Sequence, residues 1–171
     1  MTETRSTLFI GGARSGKSRL AQRTAEANGG ELVFIATAQA FDDEMRDRIA
    51  RHQNDRNSRW RTVESPLDLP AAIAREGGEG RTLLVDCLTL WASNTMLAEV
   101  DVNAAGAALV AAIASSAGTI ILVTNEVGWG IVPDNALARQ FRDVAGRLNQ
   151  QVAAAVDDVR LVVAGIAMQL K

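Results

Sequence analysis

The stretch FIGGARSGKSRLA, residues 9–21, sets an apolar run against a glycine-rich turn and then a segment with helical spacing. It matches G-x-x-x-x-G-K-[ST], with Gly11, Gly16, Lys17 and Ser18 at the required places. Glycine lets the backbone come close to an anion and takes positive φ at little steric cost. The amides of Gly11, Gly12, Ala13, Arg14, Ser15 and Gly16 can therefore wrap a chain of phosphates. A helix starting at Lys17 aims its unpaired N–H groups at the same point. In that arrangement Lys17 reaches the β- and γ-phosphates, and the Ser18 hydroxyl is a ligand for Mg2+. The turn predicts a nucleotide-phosphate site with a strand before it and a helix after it. The plainer alternative is a structural glycine turn.

The rest of the chain supplies the frame such a turn needs. Apolar β-rich runs recur at 7–11, 31–36, 81–86, 119–124 and 160–165, and their hydrophobicity is continuous instead of alternating. That pattern belongs to strands covered on both faces. Between them, residues 17–28, 42–55, 67–76, 103–116 and 134–156 have helical spacing. The alternation predicts an α/β fold with a mostly parallel central sheet and helices on both faces, in a single domain over residues 1–171. The run LLVD ends in Asp86, placed to serve a phosphate-bound Mg2+; a helix cap or turn is its plainer role.

Composition narrows the partners. A net charge of −2 gives no global attraction for nucleic acid or anionic membranes, so an anion must be recruited locally. No apolar segment approaches the roughly 18 residues that span a bilayer. The lone cysteine, Cys87, lies in an apolar run and reads as a small buried hydrophobe rather than a reactive thiol. The expected location is the cytoplasm.

The one strongly basic stretch is DDEMRDRIARHQNDRNSRWR, residues 42–61, with six arginines and the only histidine, His52. On a helix, Arg48 and Arg56 share the face of His52. Nearby cations favour a neutral, nucleophilic imidazole, and arginine forks suit phosphate oxygens. By chemistry alone a solvated, ion-paired face is the favoured reading, because the stretch also holds acids that can pair with the arginines.

The segments GGARSGKS, IATAQAFDDEMRDRIARH, WRTVE, TNEVGWGIVP and ARQFRDVAGRLNQ resemble the bifunctional adenosylcobinamide kinase/adenosylcobinamide-phosphate guanylyltransferase family of cobalamin biosynthesis. The likeness runs from about residue 7 to 166. It implies a P-loop NTPase fold of the RecA-like kind, commonly a homotrimer, in which a histidine carries a covalent guanylyl group. That role falls on His52. The resemblance further implies that Thr37, Ala38, Gln39, Arg56, Glu64 and Asp86 line the guanine-nucleotide site. Asn57 stands where the family is expected to have proline, and Arg51 where some relatives carry a second histidine.

The implied substrates are GTP or ATP and a corrinoid, with Mg2+ as cofactor and no nucleic acid or membrane partner. Two rival readings remain at this point: a regulatory nucleotide-binding module, and a kinase of another small metabolite. In TNEVGWGIVP, Asn125 and Glu126 are candidates for substrate contact, and Trp129 either stacks on a flat corrin or packs at a subunit interface. The Asn-Glu pair is not the N-K-x-D guanine reader, so a preference for GTP rests on the resemblance.

Overall fold

The computed structural model describes residues 5–39 and 58–171. These residues form β1 (Ser6–Gly11), α1 (Lys17–Asn28), β2 (Glu31–Ala36), β3 (Trp60–Glu64), α2 (Leu69–Glu76), β4 (Arg81–Asp86), α3 (Leu88–Leu97), α4 (Val102–Ser115), β5 (Thr119–Asn125), α5 (Ala136–Ala155), β6 (Asp158–Val163) and β7 (Ile166–Gln169). The helix expected at 42–55, with His52, and the neighbouring Arg56 lie outside the described residues.

The strands make one sheet in the order β3-β2-β4-β5-β1-β6-β7. Every neighbouring pair is parallel except β6 and β7. Those two form a hairpin through Ala164 and Gly165, both at positive φ (52° and 79°), which lets a tight turn follow the strand twist.

Because successive side chains point to opposite faces, each central strand feeds two cores. On one face Leu8, Val33, Ile35, Leu83, Val85, Ile120 and Leu122 pack with residues of α2, α3, α4 and α5, among them Ile73, Trp91, Leu109 and Leu148. On the other, Phe9, Phe34, Leu84, Ile121, Val123 and Val162 meet Ala21 and Ala25 of α1. Each fully buried Leu or Ile contributes about 1.5–3 kcal/mol, so these two layers dominate stability. The small alanines of α1 let it lie close to the sheet, directly beneath the turn that precedes it.

The strand starts are tied together by charge. Glu76, at the end of α2, accepts from Arg61 of β3 at 2.6 Å, and Glu31 joins Arg61 and Arg81 at 3.1 and 2.9 Å. The hydrogen bond from Arg61 holds the Glu76 carboxyl below its ordinary range. These pairs also give the exposed edge strand a charged rim that discourages edge-to-edge pairing.

Three elements differ from the sequence expectation. β3 has no buried residue and three charged or polar residues out of five, so it lacks the apolar run of a central strand. β7 is exposed throughout and owes its place to the turn before it. α3 is buried around most of its circumference, including Thr89, Asn94 and Thr95, so it shows no one-sided stripe by which a helix is read.

Candidate active site

All the parallel strands end at the same edge of the sheet, and the glycine-rich turn lies there. β1 stops at Gly11, and α1 starts at Lys17 with Gly16 as its cap at φ 94°. Among the described residues no side chain caps this helix start, and no acid lies in its first turn, which leaves its leading amides available to an anion. Arg14 also takes positive φ, 57°. Ser15 N donates to Gly12 O at 3.3 Å, and Gly165 N donates to Ser15 O at 2.7 Å, anchoring the turn to the β6–β7 hairpin.

Packing requires glycine at Gly11, and a φ of 94° together with a close neighbour favours it at Gly16. A Cβ at Gly11 would collide with the carbonyl oxygen of Val162 and lie 2.9 Å from Ser15 Oγ. One at Gly16 would lie 3.1 Å from Gly165 Cα. At Gly12 a Cβ would meet nothing within 4 Å, so the bare backbone there faces open space. Ala13 is exposed and Ser15 half-buried, with Ser15 Oγ itself buried and without a hydrogen-bond partner among the described residues. Lys17 is 7% exposed and folds back across the turn, its Nζ donating to Gly12 O at 3.0 Å. Ser18 is half-buried one residue further along the helix.

The register places the remaining candidates along the same edge. Asp86 is level with Ala36 of β2, which is level with Glu64 of β3; Gly11 is level with Asn125 of β5. β5 stands between the Asp86 strand and β1. With strands about 4.8 Å apart, Asp86 lies roughly 10 Å and Glu64 roughly 19 Å from β1 across the sheet. Ala38 and Gln39 follow β2 half-buried, and Glu64 is exposed.

Thr37 has a different environment. It is fully buried; its Oγ1 donates to Cys87 O at 2.8 Å and accepts from Cys87 N at 2.9 Å, while Thr37 O accepts from Asn94 at 2.8 Å. Its hydroxyl is thus engaged in pinning the end of β2 to the end of β4. Cys87 caps α3 in extended conformation, and burial, assisted by the Asp86 charge, pushes its thiol up to about 11. The thiol is inert at neutral pH, as a small buried hydrophobe should be.

Beyond β5, a buried polar relay fixes the Asn125 backbone. Thr89 Oγ1 accepts from Asn125 N at 2.7 Å and lies 3.2 Å from Thr124 Oγ1, which donates to Asn149 Oδ1 at 2.7 Å; Asn149 Nδ2 returns to Asn125 O at 3.2 Å. Sequence reasoning did not single out Thr89 or Asn149. The available signal was a polar residue on an otherwise apolar helix face, as at Asn149 between Leu148 and Val152. Glu126 N then donates to Gly11 O at 3.0 Å, joining this segment to the glycine-rich turn. Trp129 is 75% exposed. Among the described residues, no three His, Cys, Asp or Glu side chains converge on a metal position, and no helix is long and apolar enough to cross a membrane.

A strand inserted between the loop-bearing strand and the one ending in an acid, with Lys17 closing over the loop, gives this chain the P-loop NTPase fold. Solved structures agree on the fold alone. The chain is similar to an ATPase from the type III secretion system of pathogenic bacteria (TM-score 0.56, 15% identity, 96% of this chain and 56% of that one). It is also similar to the flagellar accessory protein FlaH of Methanocaldococcus jannaschii (TM-score 0.53, 14% identity, 98% of this chain and 78% of that one).

Sequence comparison is more specific. Residues 7–170 match the family described as cobinamide kinase / cobinamide phosphate guanyltransferase, and the chain belongs to that family. It is 48% identical over 166 residues to the bifunctional adenosylcobalamin biosynthesis protein CobP of Pseudomonas aeruginosa, covering 96% of each chain. It is 41% identical over 179 residues to the protein CobU of Escherichia coli, covering 96% of this chain and 98% of that one.

Proposed function

We propose that this chain, acting as one domain over residues 1–171, carries out both reactions in the name of its family. In the first, the γ-phosphoryl group of a nucleoside triphosphate passes to the aminopropanol hydroxyl of adenosylcobinamide. In the second, GMP passes from GTP to adenosylcobinamide-phosphate, giving adenosylcobinamide-GDP. The observation that carries the reading is a phosphate loop with a buried lysine, in a chain that matches the family over nearly its whole length.

The roles follow from the chemistry of each position. Phosphoryl transfer needs charge stabilisation and alignment more than covalent help from the protein. The amides from Gly11 to Ser18 grip the outer phosphates, and Lys17, held at the loop by Gly12 O, meets the charge that develops on their oxygens. Mg2+ suits Ser18 and Asp86, a hydroxyl and a carboxylate at one sheet edge, since it ordinarily takes only one or two protein oxygens beside phosphates and water. When bound, Mg2+ draws negative charge from the phosphoryl oxygens.

In the second reaction the His52 imidazole attacks the α-phosphorus of GTP, pyrophosphate leaves, and an oxygen of the substrate phosphate then displaces the imidazole. Ala38, Gln39, Arg56 and Glu64 contact the guanine nucleotide, with Thr37 holding the wall behind them. GTP serves the transferase and either GTP or ATP the kinase. The enzyme is cytoplasmic and a homotrimer. The exposed Val163, Ile166, Met168 and Leu170 of the β6–β7 hairpin and its tail give a second copy apolar surface to bury.

The test is incubation with α-labelled GTP, followed by mapping of the labelled peptide. An acid-labile, base-stable adduct on the peptide containing His52 is expected, absent in His52→Ala, which should retain the kinase step. Label persisting in His52→Ala, or no adduct in the wild type, would refute the assignment.

A further inference from the structure

The segment after β5 borders an open cleft of about 310 Å3 against the outer face of α5, with Glu126, Gly128, Arg142, Asp143, Arg147 and Gln150 in its walls. Its volume is at the small end for small-molecule clefts, enough for a side arm and too little for a macrocycle. Gly146 keeps the floor open, since a Cβ there would meet nothing within 4 Å. Through Glu126 N, which donates to Gly11 O at 3.0 Å, the cleft adjoins the phosphate loop.

Its chemistry selects one kind of ligand. Arg142 Nη1 is buried and has no hydrogen-bond partner among the described residues, although buried donors are normally paired. The same cleft is lined by two carboxylates, of Glu126 and Asp143; Glu126 Oε1 accepts from Gly128 N at 2.6 Å, which orients it. An anionic ligand would face those carboxylates, and a cationic one would face Arg142 and Arg147. An apolar ligand would strip water from these charged groups and offer them no hydrogen bond. A primary carboxamide offers one acceptor and two donors and carries no charge, so it satisfies both walls at once.

We propose that this cleft holds a peripheral carboxamide arm of the corrinoid acceptor, with Arg142 donating to the amide oxygen and Asp143 and Glu126 accepting from the amide nitrogen. The proposal rests on the reading of the acceptor as a cobinamide, whose macrocycle is rimmed by carboxamide arms. Anchoring one arm here keeps the macrocycle outside the cleft and beside the loop. Arg142 and Asp143 are then specificity-determining residues of the known reaction.

The experiment measures kinase kinetics on full-length protein with cobinamide, and with cobinamide whose peripheral amides have been hydrolysed to carboxylates. Arg142→Ala should raise KM for cobinamide about tenfold, the loss of one hydrogen bond to a charged group, and leave KM for GTP unchanged. Gln150 lines the same cleft and its side-chain amide can add one neutral hydrogen bond to the arm, so Gln150→Ala, on the exposed face of α5 and no threat to folding, should raise it about threefold. Asp143→Asn should relax discrimination against the carboxylate form about tenfold, a change that a structural role would not produce. Unchanged KM in both Arg142→Ala and Gln150→Ala, or unaltered discrimination in Asp143→Asn, would overturn the proposal. So would a changed mass by light scattering with unchanged KM, which would assign the cleft to a second copy. Failure of the wild-type protein to phosphorylate cobinamide would overturn the functional reading as well, and is distinguished by that turnover alone.

Discussion

Two stretches on the same sheet edge, residues 11–16 and 126–135, are built on opposite plans. The first is glycine-rich yet tightly held: Ser15 is bonded to Gly12 and Gly165, Lys17 reaches back to Gly12, Gly11 has no room for a methyl group and Gly16 little. The second carries large side chains and little anchorage. Trp129, Ile131 and Val132 are 75%, 98% and 61% exposed. Its anchors include Glu126 N on Gly11 O, the Gly128 amide on Glu126, the Ala138 amide on Asn135 Oδ1 and the Arg139 guanidinium on the carbonyls of Pro133 and Asp134.

The contrast teaches what each partner of the reaction demands. Charge developing on a transferring phosphate is best met by dipoles already in place, because reorganising them during the reaction would cost much of the benefit. The acceptor has a broad apolar body, and exposed aromatic and aliphatic side chains can meet it without fixed backbone donors. Glycine content alone is therefore a poor guide to looseness in this chain.

The comparison can be broken in three places. Lys17→Ala should have the largest effect, lowering triphosphate use in both reactions by about a hundredfold or more, as measured by cobinamide phosphorylation and by guanylyl-adduct formation. Normal turnover of triphosphate would deny the loop its role. Gly11→Ala tests the rigidity itself: the added methyl must displace Val162 or the turn, which should cost about 1–3 kcal/mol. In a chain of this length that is a fall in thermal midpoint of about 2–4 °C per kcal/mol. An unchanged midpoint with normal nucleotide affinity would mean the turn yields easily. Trp129→Ala should have the smallest effect on stability, within about 0.5 kcal/mol, since the ring is mostly exposed. Its consequence should appear in KM for cobinamide and not in KM for GTP; a large drop in midpoint would instead place the ring in a buried contact between copies.

The legible parts of the molecule were those whose physics is local. The glycine-rich turn announced itself because wrapping an anion needs particular residues in consecutive order, and its helix starts at Lys17 as expected. The five apolar runs became β1, β2, β4, β5 and β6, because a strand covered on both faces must be apolar throughout. Asp86 was visible as the acid closing such a run. The edge strands β3 and β7 and the buried helix α3 were hidden, since the first two are covered on neither or one side and the third on nearly all sides. Periodicity registers only one-sided burial.

The sequence by itself determined the chemistry of the loop, the alternation of strands and helices and, through its likeness to a family, the reactions to look for. Only the tertiary structure decided that the Thr37 hydroxyl is spent on Cys87, that Gly16 packs tightly against Gly165, and that Arg142 lines one cleft with Glu126, whose amide is bonded to Gly11 O. Each of these pairings joins residues that lie 50 to about 150 positions apart or depends on a neighbour brought in by the sheet, as with Thr37 and Cys87. A residue's type sets which bonds it can make; strand order sets which atoms arrive to make them.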